Sequence, residues 1–391
     1  MSNGSANKSP ILIGTEAPIA TTTVNYPGIF SAVQAAATTI NSQGGINGHP
    51  IKVFTCNTES TSNGELGCAR QAIANHVVAM VGANVDNAFA PFNQVLTAAQ
   101  VVDISNTGAD LYAYSGSIAY PVTFIDGTFD PCVSGLLASS SQHPKSAVIV
   151  TNTNGALMSL FEPFLQNQAK AGGVKWLNPI VTPTTVSDYS PYVAQAQAEH
   201  AGMVVMLLSG SGPQAFVSAS SQAGATYDVC TALGLDGSGQ WNGLGSEGNN
   251  LYVGADFAPV SNASSAPPLM KTLYASMEAR YKGGDSAANP APTTIQAQAV
   301  EAWLGTWAFA QAAKTINGPV TAASVFNAMP TAKATFGGIV PDVDFSKATS
   351  CGLFKKVYNS AEYLWKYDQS AQDYTEVGSL PNDFATAVCG S

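Results

Sequence analysis

The chain has 391 residues, of which 46% are hydrophobic and only 10% charged, with a formal net charge of −10. That length exceeds what one hydrophobic core usually serves, so two or more domains are expected, and no apolar run approaches the roughly 18 residues needed to span a bilayer. An acidic surface with so few cations repels phosphate backbones, and no basic amphipathic stretch points to a membrane surface.

In chain order, short β-rich runs alternate with alanine-rich helical stretches, the rhythm of parallel sheets covered by helices. The first series predicts strands over 11–14, 51–55, 77–81, 101–104 and 120–125, with helices over 28–40, 65–75 and 87–99. The cluster Gly44-Gly45-Ile46-Asn47-Gly48 reads as a turn. A second series starts near Asp130: helices over 131–140, 156–171, 189–199 and 213–222, and strands over 147–150, 180–181, 203–208 and 227–232. Residues 250–259 return to an extended pattern. Helices then follow over 268–281, 293–314 and 322–328, and two strand-like runs lie within 352–367. Trp303, Trp307 and Phe309 in helix 293–314 read as core. No repeat of 20–50 residues appears, which excludes solenoids and propellers.

Six cysteines, Cys56, Cys68, Cys132, Cys230, Cys351 and Cys389, include no Cys-x-x-Cys pair, and the four histidines are scattered, so metal binding is a poor reading. An even count favours disulfides and an oxidising compartment, with buried free thiols as the plainer alternative. Cys56 and Cys68 flank a short strand-to-helix loop, and Cys351 and Cys389 bracket the C-terminal segment. Cys132 and Cys230 then remain, both in the second βα series. Residues 1–9 are small and polar, either an expression-derived start or the stub left by an export signal.

The segment Ile40-Asn41-Ser42-Gln43-Gly44-Gly45-Ile46-Asn47-Gly48 resembles a signature of the leucine/isoleucine/valine-binding protein family, the type I periplasmic binding proteins that serve ABC importers. Further stretches, 77–82, 102–105, 187–193 and 336–345, are similar to that family's segments in the same order, and the resemblance spans about 10–370. It implies an α/β fold of two Rossmann-like lobes joined by a three-segment hinge. Lobe one would be 10–124 and 255–345, and lobe two 125–254 and 346–391, after a flexible stub at 1–9. The implied mechanism is lobe closure around a small solute at the C-terminal ends of the strands.

The resemblance also nominates ligand-binding residues. In the loop after the first strand these are Asn25 and the adjacent ring of Tyr26. After the third strand, Asp86 falls on a ligand-contacting position, with Asn87 beside it, although either residue also suits a plain helix cap. Thr107 and Ala109 fall where the family grips a carboxylate with N–H groups and a hydroxyl. In lobe two, Asn154 and Ser209 follow apolar strands. The stretch 231–235 lacks the acid with which amino-acid binders of the family hold an α-ammonium, a role Asp86 could assume from lobe one.

The implied ligand is a small amino acid or a related amide or carboxylic acid, with a branched-chain amino acid as the family default and an aromatic acid as runner-up. The implied partners are ABC permease subunits, the location is extracytoplasmic with or without a lipid anchor, and a monomer is expected. A ligand-sensing module of the same fold is the alternative. No cofactor and no catalytic role is implied. Gly243-x-Gly245-x-x-Gly248 has the letters of a dinucleotide fingerprint, but it follows a polar stretch and precedes a strand, so it reads as a loop.

Overall fold

A computed structural model describes residues 7–21, 24–108, 111–124, 130–139, 144–152, 155–208, 210–233, 241, 244–248, 250–261, 263–351, 354–368, 370–371, 373–377 and 382–383. In chain order the elements are β1 (Ile11–Ala17), α1 (Pro27–Ser42), β2 (Ile51–Asn57), α2 (Ser62–Ala74), β3 (Ala79–Val81), α3 (Phe89–Ala98), β4 (Val102–Ile104), β5 (Ala119–Tyr120), α4 (Ser134–Ser139), β6 (Ser146–Thr151), α5 (Gly155–Ala171), β7 (Lys175–Trp176), β8 (Ile180–Val181) and α6 (Ser190–Ala198). They continue with β9 (Met203–Leu207), α7 (Gly212–Gln222), β10 (Asp228–Ala232), β11 (Leu251–Ala255), α8 (Pro268–Lys282), α9 (Ala297–Lys314), α10 (Ala322–Ala328), β12 (Lys333–Ala334), β13 (Val343–Asp344), β14 (Thr349–Cys351), β15 (Phe354–Val357), β16 (Ala361–Asp368), β17 (Asp373–Glu376) and β18 (Asn382–Asp383).

The chain divides into two compact units. The first comprises 1–123, 260–290 and 295–359, the second 124–259, 291–294 and 360–391. Residues 346–359, placed in lobe two by the sequence, therefore fold with the first unit. Phe354 packs edge-on against Tyr114, Lys356 donates to the Ser117 and Ala119 carbonyls, and Tyr358 stacks on Tyr120. Residues 255–259, placed in lobe one, complete and follow β11 of the second unit.

The first unit holds a five-stranded sheet in the order β2-β1-β3-β4-β5, parallel throughout. Its inner strands β3 and β4 are buried throughout; Ala79, Met80 and Val81 have no exposed surface. One face is covered by α2 and α3 through Ala69, Ala72, Met80, Phe92 and Leu96. α9 is buried around most of its circumference, and its small residues allow close approach: a Cβ on Gly82 would stand 2.3 Å from the Ala302 Cβ. Trp303 and Phe309 are fully buried and Trp303 stacks on Trp307, as a core reading expects.

The glycine-rich signature after α1 has a local cause. Gly44, Gly45 and Gly48 adopt positive φ of 96°, 68° and 89°, and Gly45 N–H returns to the Ile40 carbonyl to end the helix. Asn41 then brackets Ile51, donating to its carbonyl and accepting from its N–H, which sets the start of β2.

The second unit carries a mixed sheet in the order β17-β16-β11-β10-β9-β6-β7, with β8 beside β6 and β18 beside β16. The strands from β6 to β11 run parallel, while β16 runs antiparallel to β11. Its core joins Leu136, Ile149, Leu165, Val205 and Leu364. Several expectations need correction here. The stretch 131–140 is a 3-10 turn (Asp130–Cys132) followed by the short α4, because Pro131 breaks the N–H ladder. The strand expected at 120–125 is only Ala119–Tyr120, with 125 outside the described residues, and the helix expected from 293 starts at 297, after two prolines. Gly245–Gly248 forms a 3-10 turn leading into β11, with no helix after it.

Cys56 is bonded to Cys68 across the β2–α2 connection, and Cys132 to Cys230 across the second unit. Cys389 of the expected Cys351–Cys389 pair lies outside the described residues.

Candidate functional site

In the first unit the strand order reverses direction between β1 and β3, so the connections leaving their C-terminal ends diverge. Ligands of open α/β sheets bind at such a switch point. The connections after β3 (82–88) and β4 (105–108) are tied to each other and to the end of β1. Thr107 N–H donates to Ala83 O at 2.8 Å, Asn84 Nδ2 to Thr107 O at 3.0 Å, and Asn84 N–H to Glu16 O at 2.8 Å. α9 is stitched to the same end. Gln296 Nε2 donates to Asn25 O at 2.8 Å, Gly28 N–H donates to Gln296 Oε1 at 3.1 Å, and Ser105 Oγ donates to Glu301 O at 3.1 Å.

Of the residues nominated by sequence, Tyr26, Asp86 and Thr107 gather at this edge. Tyr26 precedes α1, and burial, then Asp86, then Glu301 push its hydroxyl well above the usual tyrosine range. Asp86 is exposed, and Thr107 is buried with its hydroxyl turned towards Ala83 O at 3.4 Å. Asn25 lies in the same connection, but its Oδ1 accepts from Ala20 N–H at 2.8 Å and so shapes its own loop. Ala109, Asn154 and Ser209 lie outside the described residues.

Neither Asp86 nor Asn87 caps α3. The cap position is Ala88 with no side-chain bond, and the work is done by Glu65 from α2. Its fully buried carboxylate accepts from Asp86 N–H (3.0 Å), Asn87 N–H (3.1 Å), Asn87 Nδ2 (2.9 Å) and Ala88 N–H (2.6 Å). A carboxylate at a helix N-terminus is stabilised by the free N–H groups and the dipole. The N–H groups of the three residues leading into α3 are thus held from within. The next loop is closed in the same way: Gly108 N–H donates to Asn106 Oδ1 at 2.9 Å, and Asn106 Nδ2 donates to Asp103 Oδ2 at 2.7 Å. Of the N–H groups expected to hold a ligand carboxylate, that of Thr107 is bonded to Ala83 O, and that of Ala109 lies outside the described residues.

Beneath the loops lie further acids. Glu16 is fully buried with both carboxylate oxygens lacking a hydrogen-bond partner. Burial first, then Glu65 and Asp103, hold its pKa well above the ordinary value. Burial raises Asp103 to about 7, partly offset by its bond from Asn106. Sequence reasoning missed Glu16, Glu65 and Glu301, because an acid within a strand or helix reads as a solvated side chain.

In the second unit the order β7-β6-β9-β10-β11 repeats the first unit's pattern, with its switch point between β6 and β9. Asn152, at the end of β6, is buried with Oδ1 lacking a hydrogen-bond partner.

One parallel sheet and one mixed sheet with a parallel core, each with a reversal of strand order, frame the comparison with known proteins. Residues 21–352 match the periplasmic binding protein family. The chain belongs to that family. Its members are extracytoplasmic solute-binding proteins of ABC transporters. Among solved structures, the chain is similar to a fatty acid ABC transporter substrate-binding protein from Thermomonospora curvata (14% identity, 98% of this chain and 96% of that one, TM-score 0.76). It is similar to a branched-chain amino acid transporter substrate binding protein from Streptococcus pneumoniae in complex with isoleucine (16%, 94% and 100%, 0.71). A third is a solute binding protein from R. palustris in complex with 4-hydroxybenzoate (15%, 96% and 99%, 0.72). At these identities the likeness shows the periplasmic binding protein fold alone. No curated protein sequence matches the chain.

Proposed function

We propose that this periplasmic binding protein captures a small amino acid, or a related amide or carboxylic acid, and presents it to an ABC permease. The observation that carries this reading is the convergence of Tyr26, Asp86 and Thr107 at the switch point of the first unit's sheet, in a chain of this family. Asn154 and Ser209 are proposed as the second unit's contributions, at the matching strand ends, with Ala109 beside Thr107. The protein works as a monomer that closes on its solute, on the outer face of the membrane, with or without a lipid anchor. An aromatic acid is the second reading, favoured by the related fold solved with 4-hydroxybenzoate.

A thermal-shift screen of amino acids, amides, aromatic acids, sugars and divalent metals tests the reading. Stabilisation by a member of the first three classes is expected. Stabilisation by sugars or metals alone overturns it. Native mass spectrometry of the purified protein identifies any solute it carries.

A further inference from the structure

The first unit's end of the site is built from acceptors. The connections after β1, β3 and β4 and the first turns of α9 contain no Lys or Arg: residues 17–26, 82–88, 105–110 and 296–305 have none. Among the described residues, five N–H groups of these loops are committed. Those of Asp86, Asn87 and Ala88 serve Glu65, that of Thr107 serves Ala83 O, and that of Gly108 serves Asn106. A second anion brought to the start of α3 would meet Glu65 where the helix dipole should be.

Two carboxylates stand at the same edge. Asp86 is exposed in the β3 loop. Glu301 is buried on α9, fixed where Ser105 donates to its carbonyl and where its neighbour Ala302 touches the Gly82 turn. Both act on the Tyr26 hydroxyl. An independent observation points the same way. Asn84 reaches across the two loops with Nδ2 on Thr107 O, which leaves Oδ1 at that junction, 2% exposed and without a hydrogen-bond partner. A buried amide oxygen in that state calls for a donor.

Resting on the solute-binding reading above, we propose that this edge takes the protonated amine of the ligand, through Asp86 and Glu301 beside Tyr26, and does not hold a ligand carboxylate. The ligand class narrows to solutes with a cationic nitrogen, either an amino acid whose carboxylate is held elsewhere or an amine without one. Glu301 becomes a specificity residue, and the purely anionic aromatic acids are excluded.

The test uses matched triplets: an amino acid, the amine lacking its carboxylate, and the acid lacking its amine (leucine, isoamylamine and 4-methylpentanoate, then the aromatic and small polar counterparts). Titration calorimetry on the full chain should show binding by at least one amine-bearing member and none by its deaminated acid. Asp86→Asn and Glu301→Gln should each weaken that binding by about 30-fold, in line with removal of one partner from a desolvated charge pair. Asp86 is exposed, so its variant keeps the fold even if Glu301→Gln does not. Binding of deaminated acids as tight as that of the amino acids, or undiminished binding by Asp86→Asn, overturns the proposal and leaves the solute-binding reading standing. Silence from every triplet, together with stabilisation only by sugars or metals, overturns both.

Discussion

A carboxylate that accepts from three successive N–H groups and a side-chain amide cannot become a neutral amide without leaving a buried donor facing a donor. Glu65→Gln is therefore expected to cost about 2–3 kcal/mol of stability, measured by urea unfolding, and to loosen the loop that carries Asp86. Glu16 and Asp103 act in the opposite sense. Their folded pKa values lie above those of the unfolded chain, near 4 for ordinary carboxyls. The native state then binds more protons than the unfolded one, so their stabilising contribution is fully present below about pH 4, and that of Asp103 is lost as pH rises through about 7. Melting temperature should fall between about pH 5 and about pH 8, and Asp103→Asn should flatten that slope. A variant as steep as the parent would show that Asp103 does not titrate there. None of this was legible beforehand. Glu65 meets its donors more than 20 residues further along the chain, and no local spacing marks such a pairing. Asp86 and Tyr26 were found because their loops follow strands that can be recognised.

Elements were legible in proportion to their length and periodicity. β9 reads directly, since Met203–Leu207 is apolar without interruption. β7, β12 and β13 have two residues each, too few for any period, and they form only because neighbouring strands supply partners. The helices were placed within a few residues, with the largest error at α9, whose start depends on Gln296 bridging to the β1 loop. Packing between elements yields two predictions. Gly82 sits at φ +59° against Ala302, so Gly82→Ala combines backbone strain with a clash and should cost about 2 kcal/mol or more in chemical denaturation. The disulfides close loops of very different size, with sequence separations of 12 and 98. On the chain-entropy account, replacing Cys132 and Cys230 by serine should cost about 5 kcal/mol, against about 3 kcal/mol for the Cys56–Cys68 pair. Equal losses would put the origin of the stabilisation elsewhere.

At the scale of the whole molecule, the two-unit organisation was legible from the repeated βα rhythm, whereas the boundary at 346–359 was not. That segment is held to the first unit by ring contacts and by Lys356, which burial lowers to about 8 and whose ammonium lies 4.9 Å from the Tyr120 ring centroid. If the solute is gripped from both units, saturating ligand should lower the radius of gyration in small-angle scattering; an unchanged value would argue for a ligand held by one unit alone. The interleaving of the units bears on how the chain is made. The first unit needs residues 260–290 and 295–359 to cover its sheet, and the second needs residues beyond 360. Synthesis proceeds from the N-terminus, so for most of that time neither unit has all its parts. A nascent chain released before residue 297 exposes the face of β3 and β4 that α9 will bury, and stays open to chaperones and proteases. Folding waits for the last quarter of the polypeptide, which suits a protein that must remain threadable until it has crossed a membrane.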